Sequence, residues 1–420
     1  MKICLVSQEY PPDTARGGIG TQTWNKAHAL ARSGHDVHVL SCAVAGGPDL
    51  ASEFGNGVTV HRMQPPGEER WNNFPIYNPA TYSLGYSWNV FRQLHRLMRT
   101  TEFEVIDFPE YGAEGFAYQL DRSLWNWVPV VVQLHAPLAM LSERMGWPEK
   151  GSDLYDVGTF MEGNSIRHAD GLMACSSNIA DFTADFYGIP RERIDVVHCG
   201  VDAQAFRPIS DSEQNAKRPT VLFVGNIAAN KGVHTALAAV LRLRSKYPAV
   251  RLQVLGTGDE EMRSALQQCV SIAGAQSNVE FHGFVDRSRL PEFYQRATVF
   301  CSPAQHEGGV ANVYLEAMAS GCPVVASMAG GAPEAVAHGE SGLLVPPGDV
   351  GAVEAALDLI LSNRNLARKM GRAGRRRVDE YFAMDKYIPR ILRNYERAIE
   401  SSHKKLKSLK VAEAKEAECA

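Results

Sequence analysis

Glu316 stands one helical turn behind a run of small residues, a spacing suited to holding a nucleotide. Residues 306–334 read HEGGVANVYLEAMASGCPVVASMAGGAPE. The run follows an apolar strand at 298–301, turns through Ser302 and Pro303, and opens a helix near Asn312 that stops at Gly321. Free N–H groups at a helix N-terminus, with the helix dipole, suit a phosphate. Gly308, Gly309 and Ala311 are small enough for a ligand to approach the backbone. Glu316 lies four positions after Asn312, on the same face, with its Cβ leaning toward the N-terminus. A carboxylate there repels a diphosphate but can accept two hydroxyl hydrogen bonds, which fits a ribose diol. The plainer alternative is a capped, mostly buried helix whose Glu is solvated.

Other residues carry weaker chemical signals. His135 ends an apolar strand at 128–134, on the rim where ligands of such sheets sit. Glu110 and Tyr111 follow the strand at 105–107 on the same rim and are acceptor-side candidates. Trp71, Phe74, Tyr77, Tyr82, Tyr86 and Trp88 cluster in one stretch, where aromatic faces suit a sugar or lipid and helix packing suits them equally. Lys231 follows a strand and a Gly, but a phosphate-binding P-loop needs Gly-Lys-Ser/Thr, and Lys231 lies between Asn230 and Gly232. Gly17, Gly18 and Gly20 do not make a dinucleotide fingerprint. They begin ten residues after Ser7, and the second strand ends Leu40-Ser41-Cys42 with no acid for a ribose.

The elements that must position these residues read as alternating strands and helices. Strands are expected at 2–7, 36–42, 58–63, 105–107, 128–134, 171–176 and 194–198. After a polar, Pro-marked break they resume at 220–225, 251–256, 279–283, 298–301, 323–327 and 343–345. A glycine loop at 17–20 is followed by a helix over 21–32. Such alternation argues for parallel, doubly wound sheets. The reading is two Rossmann-like α/β domains facing a cleft: an N-terminal domain at 1–208, a linker at 209–218, a second domain at 219–384, a helix at 385–402 and a charged tail at 403–420, frayed or disordered.

Composition narrows the class. The chain has 420 residues, 45% hydrophobic and 21% charged, as in ordinary globular proteins. A net charge of −4 leaves no footprint for nucleic acid. The eight Cys form no CxxC pair and read as buried thiols in a reducing compartment. No apolar run reaches the ~18 residues of a membrane span, and the N-terminus is too short in apolar residues for a signal segment. The expectation is a soluble cytoplasmic protein, compatible with peripheral contact at the inner face of a membrane. Arg375, Arg376, Arg377 and the Lys-rich tail are the candidates for that contact, against an ordinary solvated face.

The segment EAMASGCPV at 316–324 resembles the donor-site signature of the retaining glycosyltransferases of family 4, which have the GT-B fold. AGGAPE at 329–334 is similar to that family's following glycine loop. The signature's first Glu normally precedes the second by eight positions. Glu307 precedes Glu316 by nine, 316 − 307. FVGN at 223–226 resembles the family's Phe-Val-Gly-Arg, with Asn226 for the Arg and Lys231 at the Lys position. LGTGD at 255–259, HGFVD at 282–286 and GVD at 200–202 match further family turns in order, with Cys199 where Asn is usual.

The resemblance implies a sugar transfer from a nucleoside-diphosphate sugar, UDP-, GDP- or ADP-linked, to a sugar-containing acceptor, with the anomeric configuration kept. It implies that Lys231, with Asn226 in the weakened second position, grips the diphosphate. Glu316 takes the ribose, and Phe284 and Val285 take the base. Glu307, or the amides of Gly308, Gly309 and Val310 with the helix start at Asn312, positions the sugar. Gly17 and Gly18 reach the donor from the first domain, and His135 lies against the sugar. It also implies that the last helix crosses back to the first domain. No cofactor is expected, and with no Asp-x-Asp motif no metal. A nucleotide-sugar epimerase and an inactive nucleotide-sugar-binding protein are the alternatives.

Overall fold

The computed structural model describes residues 1–12, 14, 17–44, 47–65, 79–123, 126–209 and 218–419, with backbone only at 79–81 and 410–419. The apolar runs form strands β1 Lys2–Val6, β2 Asp36–Cys42, β3 Leu50–Gly55, β4 Val58–Met63, β5 Val105–Pro109, β6 Val130–Leu134, β7 Gly171–Ala174 and β8 Ile194–Val196. These lie in one sheet in the order β3-β4-β2-β1-β5-β6-β7-β8. Strands β9 Thr220–Val224, β10 Arg251–Leu255, β11 Val279–Gly283, β12 Val299–Ser302, β13 Val324–Ser327 and β14 Gly342–Val345 form a second sheet, ordered β11-β10-β9-β12-β13-β14. All six strands of the second sheet run parallel, and helices return the chain between most of them.

The chain divides into two compact units, 1–198 with 388–420, and 199–387. The division falls ten residues before the sequence-based boundary at 208, and residues 210–217 of the expected linker lie outside the described residues. Physical ties explain the shift. Val201 bridges Ala383, and Arg375 donates to the carbonyls of Ala203 and Phe206.

The last helix, Met384–Cys419, is continuous through the stretch expected to fray. From Ile388 onward it belongs to the first unit, where Tyr395 joins a buried polar knot. Lys26 Nζ lies 2.8 Å from Asp107 Oδ2 and 2.7 Å from Gln133 Oε1, and Tyr395 donates its hydroxyl to Asp107. A buried Lys is tolerable only when paired in this way.

Three expectations are corrected. Strand β3 was not anticipated. It pairs antiparallel on β4 at the sheet edge and is almost wholly exposed, so it lacks the apolar alternation that marks a strand. The glycine loop is not a loop throughout, because the helix Gly18–Arg32 begins within it, with Gly17 at the N-cap. Arg375 and Arg377, read as part of a solvated face or as candidates for lipid contact, are instead engaged with the protein's own backbone. Arg375 donates to three carbonyls, and Arg377 donates to those of Ala335 and Glu334.

Among the described residues no helix is long and apolar enough to cross a membrane.

Candidate functional site

In the second sheet the strand order reverses direction around β9, with β10 on one side and β12 on the other. Ligands of open parallel sheets sit at such a switch point, beyond the carboxyl ends of the strands. The turn after β9 carries Lys231, and the loop after β12 carries Glu307. The two meet there, with Lys231 Nζ 2.6 Å from Glu307 Oε1.

Backbone contacts fix this meeting. Gln305 N–H donates to Asn230 O at 2.8 Å, joining the two loops. From the next loop, Gly331 N–H donates to Glu307 O at 2.7 Å. Gly330 has φ +67°, and a Cβ on it would lie 1.6 Å from Glu307 O. Only glycine lets the 329–334 loop lie this close while adopting left-handed backbone. The extra residue between the two glutamates is thus held in place from beneath.

The helix Asn312–Ala319 begins where expected, five residues after Glu307, with Ala311 at a position that offers no side-chain cap. Its first N–H groups are therefore left without the usual side-chain acceptor. Asn312 Oδ1 is buried without a hydrogen-bond partner. Gly308 and Gly309 are half-buried, and Val310 is buried, so Val310 offers a ligand its backbone only. Asn226 is exposed.

Glu316 is only 2% exposed, and its carboxylate is already partnered. Arg287 Nη1 donates to Oε1 at 2.9 Å, and Tyr294 OH donates to Oε2 at 3.0 Å. Each oxygen accepts one hydrogen bond and has a lone pair for a second. Arg287 comes from the loop after β11, the same loop that bears Phe284, 72% exposed, and half-buried Val285. Its guanidinium also stacks over Phe206 at 5.4 Å. Sequence reasoning missed Arg287 and Tyr294. The available signal was the position of Arg287 directly after the HGFVD turn.

The first unit gathers its own set at the carboxyl ends of β5 and β6. His135 is half-buried, with Nδ1 3.6 Å from Cys175 Sγ. Its N–H and that of Ala136 both donate to Glu110 Oε1 at 2.6 Å. Leu138 N–H donates to Glu162 Oε2 at 2.9 Å, and Tyr187 OH donates to the same oxygen at 3.1 Å. Two buried carboxylates thus clasp the His135 loop.

Glu110 is fully buried, so it cannot line an acceptor pocket as the sequence suggested; it anchors the loop instead. Burial pushes its pKa up to about 7, against the pull of the His135 and Ala136 N–H groups. Glu162, which sequence reasoning missed, is held well above the carboxylate range by burial and by Glu110. Its sole sequence signal was a charge on the buried side of the helix Asp153–His168.

Tyr111 is half-buried, and its phenol is raised by burial and by nearby Glu162. Gly17 and Gly18 open the helix Gly18–Arg32. Trp71, with Phe74 and Tyr77, lies outside the described residues. The rest of that aromatic group divides, with Tyr86 in the core and Trp88 half-exposed.

The family described as Glycosyl transferases group 1 matches residues 207–377, and Glycosyltransferase Family 4 matches 16–205. Glycogen synthase of Mycobacterium tuberculosis is 30% identical over 395 residues, covering 91% of each chain. Sucrose-phosphate synthase of Thermosynechococcus elongatus superposes with a TM-score of 0.79 at 22% identity, covering 95% of this chain and 99% of that one. HepE of Anabaena, solved with UDP and glucose, gives a TM-score of 0.71 at 19% identity, covering 94% and 98%. At such identities the two structures speak for the fold alone.

Proposed function

The chain belongs to the group 1 glycosyltransferases, with two parallel-sheet α/β domains of the GT-B class, and we propose that it moves a sugar from a nucleoside-diphosphate sugar to a saccharide, lipid-linked or small-molecule acceptor with retention of configuration. The observation that carries the reading is the meeting of Lys231 and Glu307 at the switch point, with an uncapped helix starting at Asn312, five residues after Glu307. A cation and free backbone donors at that spot suit a diphosphate leaving group. Glu316, one turn further, suits the ribose.

In the reaction, the bond from the anomeric carbon to the diphosphate oxygen breaks and charge grows on that oxygen. The Lys231 ammonium and the helix N–H groups stabilise it, and such preorganised charge stabilisation is usually the largest catalytic contribution. The acceptor hydroxyl attacks from the same face. Its proton passes to the leaving phosphate oxygen, so no protein base is needed and configuration is kept. Glu307, beside Lys231, is suited to accept hydroxyls of the transferred sugar.

A panel of UDP-, GDP- and ADP-sugars screened by thermal shift identifies the donor, because a tight ligand raises the melting temperature by mass action. Release of nucleoside diphosphate then reports turnover. Lys231→Ala and Glu316→Ala should each lose most of it; near-wild-type rates in both overturn the reading. Exposed Asn226, standing where the pattern that FVGN resembles has Arg, supports the second reading of a donor-binding protein with weak transfer. Donor binding without nucleotide release would select that second reading.

A further inference from the structure

The helix Arg364–Arg377 has the sequence RNLARKMGRAGRRR, seven basic residues and no acid in 14 positions. Arg368, Arg372, Arg375 and Arg376 line one cavity of about 260 Å³ in the second unit. Pro208, Ile209 and Gly321 complete its walls. Among the described residues, only Arg375 of these four is spent on the protein itself. It donates to the carbonyls of Ala203, Phe206 and Ala319 and pairs with Asp379 at 3.0 Å. Among the described residues, no carboxylate lies within ion-pair distance of Arg368, Arg372 or Arg376.

Three guanidinium groups facing one hollow repel each other unless an anion joins them. Their support is stiff. A Cβ on Gly371 would lie 2.0 Å from Gly321 O, so this helix lies backbone to backbone against the end of the helix Asn312–Ala319. The arginine stems therefore start from fixed points. Guanidinium forks match the oxygens of a phosphate group, and a planar, weakly hydrated cation is suited to a partly buried site. The hollow has room for a phosphate group with a small substituent, and it is concave rather than flat.

We propose that this cavity is a binding site for a small phosphate-bearing anion, separate from the donor site. It adjoins Gly321, just past the carboxyl end of the helix Asn312–Ala319, whose amino end follows the Glu307 loop.

The test uses the full chain and inorganic pyrophosphate, with chloride balancing ionic strength, followed by thermal shift and calorimetry. Lys231→Ala reports the donor site, and the double variant Arg368→Gln with Arg372→Gln reports the cavity. Saturable binding should persist in Lys231→Ala and weaken at least tenfold in the double variant. Should the double variant fail to fold, Arg376→Gln, exposed and clear of the carbonyl contacts, should weaken binding about threefold, the order expected for one partly exposed charge. Absence of saturable binding to wild type overturns the proposal. So does binding that Lys231→Ala abolishes and the arginine variants leave intact.

Discussion

The ammonium of Lys231 lies 2.6 Å from the carboxylate of Glu307, so the cation best placed for a diphosphate is already neutralised by the protein's own acid. A bound donor must compete with that carboxylate or share the lysine with it. Glu307→Gln removes the competitor and keeps the shape. Nucleoside diphosphate should then bind about tenfold tighter, the lower end of what one charge-assisted hydrogen bond contributes. Transfer should slow if Glu307 holds the sugar as proposed, because the neutral amide accepts hydroxyls more weakly. Calorimetry with UDP, GDP and ADP, set beside turnover, checks both. Unchanged nucleotide affinity would show that the pair does not restrain Lys231.

Arg287 and Tyr294 hold Glu316 in place for its proposed ribose contact. Removing Arg287 leaves a carboxylate that is 3% exposed without its cation. Arg287→Ala should cost about 2 kcal/mol, less than the ~3–5 kcal/mol of a fully buried pair, because Arg287 itself is 30% exposed. Adding Glu316→Gln should recover part of that loss, since the stranded charge is gone. Urea unfolding of the single and double variants measures the coupling.

The Gly330 contact yields a steric prediction. Gly330→Ala would drive a methyl group to 1.6 Å from Glu307 O. The loop must move, and the left-handed backbone itself costs about 1–2 kcal/mol for an alanine. Donor affinity should fall at least tenfold, and the melting temperature should fall with it. A variant that binds donor like wild type would mean that the 307–310 loop is not held from beneath.

A pH dependence follows from Glu114 in the first unit. Burial pushes this carboxyl up to about 8, against one hydrogen bond from the Gln8 N–H at 2.9 Å. Its folded pKa lies above its unfolded value, so between about pH 4.5 and 8 the folded state binds the extra proton. Its contribution to stability is therefore present at low pH and lost as pH rises, by at most about 1.4 kcal/mol per unit. Glu114→Gln removes the titration. The melting temperature of the variant minus that of wild type should grow from pH 5 to pH 8 and level off above. A flat difference would refute the buried-acid account.

The fold was legible because most strands here are buried on both faces and read as short apolar runs. Strand β5, VIDFP, is buried throughout, and β13, VVAS, likewise. Strand β3, LASEFG, escaped because an edge strand facing water needs no apolar pattern. The start of the helix Gly18–Arg32 escaped because glycine carries little helix propensity.

At the site, the helix start at Asn312 was readable from spacing. The partners of Glu316 were not, since Arg287 is 29 residues away in sequence and only the sheet order brings it near. Glu110 was placed on the right rim, but whether a rim side chain turns inward is decided by what packs above it. There that is the clasped loop from His135 to Leu138.

The polar knot of Lys26, Asp107 and Tyr395 has a consequence for synthesis of the chain. The first unit is made of 1–198 and 388–420, with the whole second unit encoded between them. A ribosome therefore adds every residue of the second unit to the chain before Tyr395 exists. The first unit must wait, with Lys26 and Asp107 short of their last partner, until the final helix has been made.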